Sequence, residues 1–99
     1  GKSIDRFDGY RFKDLAFRYS HKVMQPLLVT LDPTDEAPEL VSHSGQEFNL
    51  VLKGTVAVIF ENNEIILNEG DSIYFNPTYP HGQKCVGNEK ARFLTVIAE

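Results

Sequence analysis

Along most of this chain apolar and polar residues alternate, and glycine, asparagine, aspartate or proline interrupts the alternation every few residues. A period of two places successive side chains on opposite faces, which suits a half-buried strand and not a helix. The pattern predicts strands at about 25–32, 46–52, 55–60, 64–67, 72–76, 83–86 and 91–98, parted by "KG", "ENN", "NEGD", "NPTYPHG" and "GNEK". The first three connections offer Gly or Asn for the positive φ of a tight turn. "YRFKDLAF" is expected to add a strand carrying Tyr10, Phe12, Asp14 and Ala16 on one side. "PTDEAPE", with its two prolines, reads as a loop. Eight or so short strands with tight turns mean an antiparallel sandwich or barrel.

Ninety-nine residues hold one core and not two, so any function must sit on a single small scaffold. Residues 1–9 are expected to be an N-terminal arm or the end of a linker, and residues 10–99 the domain. The single cysteine, Cys85, cannot form an internal disulfide, and its expected role is that of a small buried hydrophobe in a reducing, cytoplasmic setting. No apolar run approaches the roughly 18 residues of a membrane-spanning helix. The net charge is −4; residues 1–25 hold six Lys or Arg against three Asp, or +3, which leaves −7 (−4 minus +3) for the rest. An acidic body without a basic stripe argues against direct nucleic-acid contact.

Two segments carry chemistry. In "HSGQEFNLVLKG", Glu47, Asn49 and Val51 share one face of a strand, and His43 precedes Glu47 by four positions, at the same parity. Phe48, Leu50 and Leu52 take the other face and are expected to be core. Phe48, Phe60, Tyr74, Phe75, Tyr79 and Phe93 are likewise expected to be mostly core, with Tyr79 the exception because it sits in a loop. In "GDSIYFNPTYPHG" a Gly-Asp turn starts a strand that runs into a proline-containing loop ending in His81.

In this order and spacing, the two segments resemble the paired motifs of the cupin superfamily. The first, His-x-His followed by Glu and then Gly, falls on Val41, His43, Glu47 and Gly54; the second falls on Gly70, Asn76 and His81. The resemblance implies a small all-β jelly-roll barrel of two antiparallel sheets. It implies metal ligation by His43, Glu47 and His81, with Val41 where the first histidine would stand. Two histidines and a carboxylate can form a facial triad, and Fe, Mn, Ni and Zn all suit such donors. Asn49, Tyr74, Tyr79, His43 and His81 are the expected ligand-binding residues.

"YRFKDLAFRYSHKVMQPLLVTLDP", "GQEFNLVLKGTVAV" and "NEGDSIYFNPTYPHG" are similar to the C-terminal cupin domain of bacterial helix-turn-helix transcription regulators. That likeness implies a non-catalytic domain that binds a small molecule or metal, works as a homodimer and touches DNA only through an attached domain. The alternative is a small metal-dependent oxygenase or isomerase using the same His/Glu/His set, for which the tyrosines 74 and 79 are the nearby proton-transfer candidates.

Overall fold

A computed structural model describes residues 2–5 and 10–99, with side chains from Arg11 onward. Among the described residues there are nine strands: β1 (Lys2–Asp5), β2 (Tyr10–Asp14), β3 (Met24–Leu31), β4 (Gln46–Lys53), β5 (Thr55–Phe60), β6 (Glu64–Leu67), β7 (Ser72–Phe75), β8 (His81–Val86) and β9 (Ala91–Ala98). They form two antiparallel sheets, one ordered β1-β2-β3-β9-β4-β7 and one ordered β6-β5-β8. This is the expected jelly roll. No helix among the described residues is long and apolar enough to cross a membrane.

The core lies between the sheets. Leu27, Val29 and Leu31 of β3, Val51 of β4 and Phe93 of β9 face Val56 and Val58 of β5, Leu67 of β6 and Cys85 of β8. Register explains the choice of residues: Val29 and Val51 both lie opposite Phe93, so one interior face runs unbroken across three strands.

The expectation that Phe48, Leu50 and Leu52 form the core face of β4 is not met, whereas Glu47 does face the barrel interior. Glu47, Asn49 and Val51 point inward and are buried, whereas Phe48 and Leu50 are only half-buried and Leu52 is 51% exposed. Leu52 sits where the β4–β9 register shifts, at a bulge that leaves it without a partner. Both faces of β4 carry apolar residues, so parity separates the faces without saying which is interior. Of the six aromatics expected to be mostly core, only Phe93 is fully buried; Phe48, Phe60 and Phe75 are half-buried, and Tyr74 and Tyr79 are exposed.

Strand β2 also ends earlier than "YRFKDLAF" suggests. The Asp14 carboxylate accepts the backbone N–H of Ala16 at 3.0 Å, an Asx-type turn that bends the chain out of the sheet. Of the segment expected as an arm, Lys2–Asp5 pairs with β2 as an edge strand, and the rest lies outside the described residues.

Between β3 and β4, the acidic loop runs beside β8, the edge strand of the small sheet. It is fastened by a two-way backbone bridge between Val41 and His81. Pro38 lies so close to Gly82 that a Cβ there would come within 3.0 Å of its ring. That close approach is why glycine follows His81.

A candidate metal and ligand site inside the barrel

Three side chains from three parts of the fold converge at one end of the interior. Glu47 points inward as the second residue of β4, and His81 opens β8 in the opposite sheet. His43 comes from the connecting segment, held by its backbone N–H donating to the Pro77 carbonyl at 3.0 Å. Gly45, at φ +94°, makes the turn between His43 and Glu47; any Cβ there would collide with the Ala98 carbonyl. One donor atom from each of the three side chains lies within 4.8 Å of the others.

The hydrogen bonds fix how these groups are presented. His43 donates Nδ1–H to the Ser44 carbonyl at 3.1 Å, and His81 donates Nδ1–H to the Tyr79 carbonyl at 2.8 Å. A carbonyl oxygen can only accept, so in the neutral rings the bare Nε2 atoms face Glu47. They lie 2.9 Å and 3.4 Å from its Oε1. Three lone-pair donors cannot share such a space unless a positive charge lies among them. That charge is a proton or a metal cation.

The other carboxylate oxygen is occupied. Glu47 Oε2 accepts from Asn49 Nδ2 at 3.0 Å, Gln83 Nε2 at 3.1 Å and the Thr95 hydroxyl at 3.4 Å. Asn49 also donates to Thr95 and accepts from Gln83 at 3.0 Å. The two amide hydrogens of each carboxamide thus have separate acceptors, and no described buried side-chain nitrogen or oxygen lacks a partner. Oε1 is left as the single outward-facing donor of the carboxylate.

Burial pushes the Glu47 carboxyl up, but hydrogen bonds from His81, Asn49 and His43, with the charge of His81, outweigh it and hold the group below its usual value. Burial pulls His81 down, yet the bond to Glu47, the Tyr79 carbonyl and the Glu47 charge together raise it. Without a metal, both shifts favour the ion pair of a protonated His81 and an ionised Glu47. With a metal, the cation replaces that proton. The donor set and its fixed tautomers fit a divalent transition metal, which His43, Glu47 and His81 would hold.

Of the residues the sequence singled out, His43, Glu47, Asn49 and His81 come together. Tyr79 supplies its carbonyl to His81, while its ring is 65% exposed and lines a neighbouring cleft. Tyr74 lies on the outer face of the large sheet opposite Phe48, 66% exposed, with its hydroxyl bonded to Gln46. Val41 is 49% exposed and meets His81 through its backbone. His21 sits exposed in the turn after β2 and is not among the converging donors.

Gln83 and Thr95 are members that sequence reasoning missed. Each had a signal: Gln83 shares the parity of His81, and Thr95 shares that of Phe93 in an otherwise apolar run. Gln83→Leu removes two donors from the cluster, frees Glu47 to rotate and is expected to weaken metal binding by about 10- to 100-fold. Titration against a competing chelator checks this, with circular dichroism to confirm the fold.

Solved structures of similar shape include transcriptional regulators and an epoxidase. An HTH_3 family transcriptional regulator from Vibrio cholerae superposes with a TM-score of 0.77 at 26% identity, covering 92% of this chain and 51% of that one. The Cupin_2 domain of an XRE family transcriptional regulator from Enterobacter cloacae gives a TM-score of 0.81 at 16% identity, with 92% and 97% covered, and shows the fold alone. Hydroxypropylphosphonic acid epoxidase from S. wedmorenis gives 0.78 at 26% identity, with 91% and 51% covered. This chain thus spans about half the length of the regulator and of the epoxidase. No curated protein sequence matches it. The family model for the cupin domain, Cupin_2, matches residues 27–97, from within β3 to within β9, and so takes in both motifs and every residue of the buried cluster: the chain belongs to the Cupin_2 family.

Proposed function

We propose that this domain is the effector-sensing part of a helix-turn-helix transcription regulator, binding a divalent transition metal or a small polar molecule in the barrel. One observation carries the reading: two histidines with Nδ1 locked on backbone carbonyls turn Nε2 atoms onto a buried carboxylate, an arrangement that suits a cation among the three donors. The likeness to the Vibrio cholerae regulator supports the sensing role. A bound effector would act by favouring one arrangement of the attached DNA-binding domains, which requires it to bind that arrangement better. The working compartment would be the cytoplasm.

The test is elemental analysis of protein purified without chelator, followed by thermal shift with Fe, Mn, Ni and Zn salts and a metabolite panel. One metal per chain, or a ligand that stabilises the fold by about 2.7 kcal/mol at a hundred times its Kd, is the expected result. Protein that takes up no metal and responds to no small molecule overturns the reading.

A second reading is a metal-dependent oxygenase or isomerase, favoured by the likeness to the epoxidase and to a related structure containing Fe(II). A metal held by His43, Glu47 and His81 would supply Lewis-acid or oxygen-activating chemistry. Turnover of a substrate by the metal-loaded domain would separate this reading from the first.

The sensor would work as a homodimer joined through the outer face of the large sheet. Leu28, Leu50, Leu94, Val96 and Phe48 lie side by side there in register, all half-buried in a single chain. Contiguous apolar surface of this kind marks an interface. Leu50→Arg is expected to shift the sedimentation velocity from dimer to monomer while leaving the far-UV spectrum unchanged, because the long stem tolerates a half-exposed position.

A further inference from the structure

Beside the buried cluster lies a cleft of about 370 Å³ between the β5–β6 hairpin and the β7–β8 loop. Its size suits a small molecule. Phe60, Phe75 and Tyr79 supply aromatic walls, Pro80 adds apolar surface, and the exposed Glu61 is the one charged residue of the lining. We propose that this cleft binds an alkylated ammonium group, a class of ligand recognised by aromatic faces and a carboxylate together.

The walls are set before any ligand arrives. Phe60 and Phe75 meet edge to face at 5.4 Å, and Phe75 packs in the same way on His81 at 5.0 Å. The hairpin is closed by the Phe60 N–H donating to the Asn63 carbonyl at 2.8 Å. On the opposite side, Asn76 Oδ1 accepts from the backbone N–H of Thr78 at 3.0 Å and from its hydroxyl at 2.7 Å, which fixes the loop bearing Tyr79. Preformed walls reduce the ordering cost of binding.

The chemistry of the lining selects the charge. Lys, Arg and His are absent from it, so nothing there pairs with an anion. The aromatic faces present negative π-density, and an alkylated ammonium has both the charge to be attracted and the apolar surface to fill the cleft. The acidic balance of residues 26–99 draws cations toward the barrel.

This inference deepens the small-molecule receptor reading but needs no metal. It is tested by heteronuclear NMR titration of the metal-free and zinc-treated domain with choline and with 3,3-dimethylbutan-1-ol, which has the same shape and no charge. Choline is expected to shift amides 60–63 and 75–80 and to bind about 3- to 30-fold more tightly than the alcohol. Tyr79→Ala should weaken both ligands, and Glu61→Gln should weaken choline alone. Equal affinity for the two probes, no saturable binding of choline, or shifts confined to other parts of the domain would overturn the proposal. Zinc uptake, read in the same samples, reports on the buried cluster separately, so either site can fail while the other stands.

Discussion

Glu47→Gln is expected to remove metal binding from the barrel, lowering affinity by more than the roughly 10- to 100-fold that loss of a supporting residue costs. The substitution keeps the shape of the side chain and takes away the charge that both imidazoles face. An amide oriented to serve Asn49, Gln83 and Thr95 through its oxygen would turn its NH₂ group toward the Nε2 atoms. It would satisfy them as a donor and compete directly with a cation. Chelator competition on the folded variant measures the loss, and unchanged affinity would remove Glu47 from the ligand set.

The same variant should alter how stability depends on pH in the metal-free protein. Glu47 is held below its ordinary 4.5, so its contribution is present above that value and is lost as pH falls through the lower folded value. His81 is raised above 6.5, so its contribution is present below 6.5 and is lost as pH rises through the higher folded value. The pair therefore contributes most between roughly pH 4.5 and 6.5. Metal affinity has the opposite alkaline limb, because the cation must displace the His81 proton. In Glu47→Gln both limbs of the metal-free urea midpoint against pH should flatten.

Phe93→Ala is expected to be the most damaging single truncation of the core, costing about 3–5 kcal/mol. Phe93 is 1% exposed and stands between Val29 and Val51 on the strands to either side. The cavity left behind would be lined by strands already tied in register, so collapse into it is limited. A loss of this size takes a large share of the 5–15 kcal/mol typical of a small domain. It should lower Tm by well over about 10 °C. Phe48→Ala, on the half-buried outer face of β4, should cost about 1 kcal/mol in the monomer, and urea unfolding of the two variants side by side checks the contrast.

The ease with which the strands could be read, and the difficulty with their faces, share one cause. Thr55–Phe60, Glu64–Leu67 and Ala91–Ala98 have the expected bounds because turn residues flank each of them and turn chemistry is local. The inward face of β4 is not local information. It depends on which side meets the second sheet, and an outer surface as apolar as Phe48, Leu50, Leu94 and Val96 conceals the answer. Motif spacing brought out His43, Glu47 and His81, which converge in space. Gln83 and Thr95 matter only because β8 and β9 face each other across the interior, a relation that no spacing along the chain encodes.

The buried cluster also has a mechanical aspect. Glu47, Asn49 and Thr95 belong to the large sheet, Gln83 and His81 to the small one, and His43 to the strap that runs between them. Elsewhere the sheets are held together by apolar packing, which resists separation but is indifferent to direction. Here they are cross-braced by directional polar bonds drawn to a single carboxylate. A cation held there by His43, Glu47 and His81 would act as a rivet through both layers at this end of the barrel. Under the proposed function, an occupant of the barrel would thereby gain leverage over the shape of the whole sandwich, including the outer face of the large sheet.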